Sequence, residues 1–261
     1  MRKRNKEPEL LTDQEPEKKR GLLRVIELID RDGGKFFKAG LLALPGMVLL
    51  FAAVQLALAN AAPALLLLCI PIGMLTAPAI AGAADTVMRS RRDEVGWWWW
   101  DTYKAVYRRN FVPSLLPGAI GGLVTAIQIY CLYYLSTLTD VSGEFLMLLI
   151  AVTVFTGLAQ FYFPMMVTME LPFYALVRNC FVLLLSHPLL SLAAALVQVV
   201  YYGLMITWFP LTLVILVLTS VWLPMLLSCS MLYGVLDKHL NLTESYARHV
   251  RQQWGGKEQS K

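Results

Sequence analysis

Charges are confined to short stretches of this chain. Between them lie four runs without Asp, Glu, Lys or Arg: Ala39 to Ala84, Asn110 to Thr139, Phe145 to Met169 and Asn179 to Leu236. A helix crosses a bilayer core with roughly 20 apolar residues, so the first and last runs can each hold two crossings and the middle two hold one each. Asn60-Ala61-Ala62-Pro63 divides the first run, and Trp208-Phe209-Pro210 divides the last. Proline interrupts a helix interior but fits its first turn, so both breaks suit hairpin turns. The pattern predicts an all-α polytopic membrane protein with six transmembrane helices, at about 37–59, 64–88, 112–136, 145–169, 187–207 and 211–236.

Composition agrees: 57% of residues are hydrophobic and 16% charged, against about 25% charged in soluble domains. A net charge of +5 could point to nucleic acid, but its distribution points to a membrane instead. All 23 Lys and Arg residues fall outside the loops near 60–63, 136–144 and 208–211, whose only charges are Asp140 and Glu144. An excess of Lys and Arg marks the cytoplasmic side, which puts both termini there and agrees with an even number of crossings. Cys69, Cys131, Cys180 and Cys229 lie in or beside apolar segments without C-x-x-C spacing, as buried small residues do.

Outside the crossings, residues 1–20 are charged and nearly free of large apolar side chains, as in a disordered cytoplasmic tail. The apolar sequence begins too late for a cleaved secretory signal. Residues 21–34 place Leu22, Val25, Ile26 and Ile29 at helical spacing, which predicts a short amphipathic helix on the membrane surface or against the bundle's end. A second interfacial helix is expected at 95–110. There Trp97, Trp100, Tyr103, Tyr107 and Phe111 share one face while Asp101, Lys104 and Arg108 share another; Trp98, Trp99 and Arg109 complete the aromatic and basic cluster. Aromatic rings favour the headgroup layer and cations favour anionic lipid. Such a helix serves either as an anchor or as a docking platform. Residues 238–261 form a polar cytoplasmic tail.

Small residues recur every four positions at Gly73, Ala77 and Ala81, and again at Gly118, Gly122 and Ala126. Such stripes let helix backbones approach closely, which predicts packing of the second crossing against the third. Pro71, Pro78, Pro164 and Pro224 are expected to kink their helices. Pro71, Pro164 and Pro224 stand at comparable positions in the second, fourth and sixth crossings, and Arg109-Asn110 and Arg178-Asn179 each lead into the next apolar run. A weak repeat of three helical hairpins follows.

The chain has no Walker-type phosphate loop, no H-E-x-x-H and no G-x-S-x-G. No catalytic residue, metal ligand set or cofactor is assigned. Ionisable groups at membrane depth cost roughly 2.5–3.5 kcal/mol at a helix centre and so face protein or water. Glu170, with Arg178 two turns beyond, and Asp85, with Arg89 one turn away, are the candidates, and Asn179 adjoins them. Each pair reads either as a structural ion pair at the rim or as a functional acid. Gln55, Gln128, Gln160 and Gln198 add amides to four helices, either joining helices or lining a polar passage.

The segment PIGMLTAPAIAGAADTVMR, followed by DTYKAVYRRNFVPSLLPG, resembles the YesL-like family of Gram-positive bacterial membrane proteins, a domain family of unknown function. FPMMVTMELPFYALVRNCFVLLL is similar to that family's proline-containing fourth helix and its continuation, with Cys180 where alanine is usual. The resemblance runs from about Gly34 to Leu236; the tail before Gly21 is longer, and four consecutive tryptophans are more than the family's pattern holds. It implies a role in carbohydrate uptake at the bacterial cell membrane, with subunits of an ABC-type transporter as partners; with the six-helix pattern and the proline-bearing even helices it gives a non-enzymatic protein, accessory or permease-like. The alternative from the residues themselves is a regulator or scaffold that docks a cytoplasmic partner through the 93–110 helix. The sequence leaves the oligomeric state open.

Overall fold

Two of the helices are far longer than a bilayer requires. The computed structural model, which describes residues 21–96, 98–137, 142–169 and 171–240, places α1 at Leu22–Ala59 and α3 at Trp99–Leu135. At 1.5 Å per residue each is about 55 Å long, nearly twice a hydrocarbon core of about 30 Å. Their charged first turns continue the crossing helices outward. The separate surface helices expected at 21–34 and 95–110 are therefore corrected to the outer ends of α1 and α3. No proline marks either boundary, since Pro45 and Pro113 lie inside the apolar parts.

Between them runs α2 (Cys69–Arg91), entered through a 3₁₀ segment, Pro63–Leu68. The chain continues through α4 (Ser142–Thr168), α5 (Phe173–Ser186), α6 (Pro188–Thr207), α7 (Leu213–Thr219) and α8 (Trp222–Leu240). Five helices are long and apolar enough to cross a membrane, or six when α7 and α8, bent by 51° at their junction, count as one span. This is an all-α polytopic membrane protein, and its described residues contain no strand.

The small-residue stripes meet as expected. A Cβ on Gly73 would strike the Gly118 carbonyl, one on Gly118 would fall 2.7 Å from the Ala77 Cβ, and one on Gly122 would strike the Cys69 carbonyl. Glycine is required here by backbone-to-backbone contact. Aromatic rings tie the later helices to α1: Phe36 stacks on Trp222 at 5.7 Å, and Phe51 lies 6.4 Å from Tyr202.

Two further expectations are corrected, and one helix appears that the sequence reading did not place. The connection from the fourth to the fifth crossing contains α5, whose Phe173 ring packs 6.0 Å from Tyr162; just beyond it, His187 meets His239 of α8 edge-on at 5.5 Å. The sixth crossing is broken at Ser220, which has φ 38°. This left-handed turn is strained for serine, and Ser220 is held by donating to the Gly40 carbonyl at 3.0 Å. Finally, Pro71 and Pro224 sit in the first turns of α2 and α8, where the missing N–H is no loss. Only Pro78 and Pro164 stand in helix interiors among the four, so the proline repeat is not structurally uniform.

Candidate functional site

Most of the described ion pairs gather at one end of the bundle, where the outer turns of α1 and α3 flank the end of α2. Asp93, in the α2–α3 loop, accepts from Arg24 Nη2 at 2.6 and 2.8 Å and also from Arg31. Arg31 Nη2 donates to the Ser90 carbonyl at 2.8 Å, adding a cation and a second donor at a helix C-terminus where that carbonyl already accepts from the Asp93 N–H at 3.1 Å. Asp32 is 1% exposed. Its carboxylate accepts from Ser90 Oγ at 2.7 Å and Lys35 Nζ at 2.9 Å, and Lys35 also reaches the Val95 carbonyl at 3.0 Å. A buried charge needs such partners on every side. The network thus fastens the loop, residue by residue, to a helix about 60 positions earlier in the chain.

Glu94 lies at the edge of this network with its side chain 5% exposed. One oxygen accepts from Arg92 Nε at 2.6 Å, while Oε2 is buried without a hydrogen-bond partner. Burial pushes its carboxyl above the usual range, and the Arg92 contact only partly opposes that.

The tryptophan run divides its work. Trp99 Nε1 donates to Thr86 Oγ1 at 3.1 Å, and Tyr103 packs its ring where a side chain on Gly82 would be. Trp100 stacks on Tyr103 at 6.1 Å and 7°, Tyr107 continues the stack, and Lys104 lies over Trp100 at 5.5 Å while pairing with Asp101. Trp98 and Trp100 remain 50% and 49% exposed, and Arg108 is exposed beside them. A hollow of about 400 Å³ opens here, walled by Leu42, Leu49, Leu75, Trp100, Lys104 and Arg108. Arg109 has a different role: its Nη2 donates to the Val167 carbonyl at 3.0 Å and closes the end of α4.

Asp85 is buried and accepts from Arg89 Nε at 2.7 Å, the pair the spacing predicts. Arg178 and Asn179 lie on α5, Arg178 exposed and Asn179 half-buried. Glu170 and Trp97 lie outside the described residues, as do the tails at 1–20 and 241–261. The sequence reading missed Asp32, Lys35, Ser90 and Asp93. The available signal was a helix end rich in both signs of charge, lying only a few turns from Ala39 and level with the equally charged Arg89–Glu94 stretch.

A second feature lies at membrane depth. A partly open cavity of about 730 Å³ is lined by residues of every helix except α7, with Gln128, Gln160 and Gln198 in its wall. Gln55 instead donates to the Ile206 carbonyl at 2.5 Å and joins α1 to α6. Gln55 and Gln198 thus join helices, Gln198 through Ser228 of α8 at 3.2 Å, while Gln128 and Gln160 line an apolar cavity rather than a polar passage. No cluster of His, Cys, Asp and Glu able to hold a metal occurs among the described residues. No family model, curated protein or solved structure matches the chain.

Proposed function

We propose that this protein is a non-enzymatic accessory subunit of a solute-uptake system, with its charged rim on the cytoplasmic side and a transporter subunit as its partner. The observation that carries this reading is the division of labour at the rim. Arg24, Arg31, Asp32 and Lys35 hold the α2–α3 loop rigid, while Trp98, Trp100, Lys104 and Arg108 stay accessible beside it. Exposed aromatic rings and cations on a preorganised surface suit a partner with an acidic face, since little order has to be imposed on binding. Carbohydrate uptake enters through the YesL-like resemblance alone.

The permease-like variant has less support. A sugar carries a hydroxyl on nearly every carbon, and each needs a partner once it leaves water. The walls of the central cavity are mainly Leu, Ile, Val, Phe and Met, with amides at few points.

Affinity purification from native membranes in mild detergent tests the reading. The expected result is recovery of a transporter subunit, lost on Lys104→Glu with Arg108→Glu while membrane insertion is unchanged. Arg109 is left out of that pair because it closes α4. Recovery of only a soluble cytoplasmic protein would favour the scaffold alternative. Recovery of no partner, with normal solute uptake after deletion, would defeat both.

A further inference from the structure

The central cavity is large and carries an unmet polar group. Its volume of about 730 Å³ lies within the roughly 300–1,000 Å³ of small-molecule sites. Apolar side chains such as Phe51, Ile129, Leu149, Phe155 and Met225 form most of its wall, and among the described residues none of the lining groups is charged. The polar groups are a minority and unequal: Gln128, Thr156, Tyr162 and Tyr202 also line the wall, and Thr76 and Thr125 donate to carbonyls of their own helices. Gln198 Nε2 donates to Ser228 Oγ at 3.2 Å, and Ser228 lies within hydrogen-bond reach of the Pro224 and Ala194 carbonyls, so this corner satisfies itself.

Gln160 does not. It is 5% exposed, and both its amide oxygen and its amide nitrogen are buried with no hydrogen-bond partner. Its backbone carbonyl also lacks the usual helical donor, because Pro164, four residues on, has no N–H. Buried amides are nearly always paired, and one that is not is costly to keep. A donor and an acceptor are thus wanted at one place in an apolar chamber.

We propose that the cavity binds an uncharged amphiphile: one long apolar chain bearing a hydroxyl group, which donates to the Gln160 carbonyl oxygen and accepts from its NH₂. A pure hydrocarbon would leave the amide unmet. A carboxylate would enter a chamber without a counter-charge. A sugar would bring more hydroxyls than the walls can answer. A neutral single-chain lipid alcohol fits all three constraints.

Purified full-length protein in phosphatidylcholine nanodiscs provides the test, with 1-dodecanol, its methyl ether (an acceptor but no donor) and dodecanoate as probes. Binding is read by titration calorimetry, and folding by thermal shift. Dodecanol is expected to bind about tenfold more tightly than the ether, as one buried hydrogen bond implies, and dodecanoate more weakly still at pH 8. Gln160→Leu is expected to raise the melting temperature without probe and to erase the preference for the alcohol over the ether. Gly121→Leu fills the cavity from a wall position where an added Cβ meets nothing within 4 Å, and should abolish binding of every probe. Gly203→Leu, equally unobstructed, serves if Gly121→Leu folds poorly. Dodecanol binding that survives both fillings, or an alcohol preference retained in Gln160→Leu, would overturn the proposal.

Discussion

Glu94 shows how a single side chain can report on the rim. Its pKa is raised by burial and Oε2 lacks a hydrogen-bond donor, so ionisation opposes folding. For an acid whose folded pKa lies above its unfolded value, that penalty is fully present above the folded pKa and disappears as pH falls to the ordinary carboxylate range. Glu94→Gln should therefore melt higher than the parent at pH 8, with the difference closing as the pH is lowered toward 4, measured by thermal shift in detergent. Asp32 is the opposite case. Its charge is matched by Lys35, Arg31 and a serine hydroxyl, and Asp32→Ala would leave the Ser90 hydroxyl without its acceptor and take the carboxylate from between two cations. Breaking a buried pair costs about 3–5 kcal/mol, so this variant should melt well below the parent, while Lys104→Gln, at an exposed pair, should shift it by about 1 kcal/mol or less.

At the scale of elements, adjacent glycines on α3 make a sharp contrast. A Cβ at Gly122 collides with the Cys69 backbone, whereas one at Gly121 meets nothing. Gly122→Ala should force α2 and α3 apart at about 3 kcal/mol or more, with lower yield of folded protein. Gly121→Ala should be neutral or stabilise by up to about 1 kcal/mol through helix propensity. Size-exclusion yield and melting temperature of the pair check both. The stripes that meet here were legible in the sequence because small residues at every fourth position define one face of a helix. The break at Ser220 was not, since no proline or glycine marks it. Its strained turn is held by Gly40, 180 residues earlier.

For the whole molecule, the His187–His239 contact brings the end of α8 to the end of the bundle where α6 begins, as it must if α7 and α8 together make one crossing. If they do, Lys238→Cys should react with an impermeant maleimide from the same side as Lys104→Cys and from the side opposite to Thr137→Cys, in a background lacking the four native cysteines. Labelling of Lys238→Cys from the Thr137 side would leave five crossings. The same experiment in intact cells tests the orientation that the Lys and Arg distribution predicts.

The sequence by itself determined the helical class, the first five spans, the segregation of charge to one side and the face on which α2 and α3 pack. All of these follow from local composition and helical periodicity, which need no knowledge of a distant partner. Only the tertiary structure decided that Asp32 accepts from Ser90 and Asp93 from Arg24, 58 and 69 residues apart, that Arg109 closes α4, and that Gln160 is left unpaired beside a chamber while Gln55 is not. A pairing of that kind depends on which surfaces meet once the helices are packed, and identical amides in similar apolar surroundings carry no local mark of where they will end.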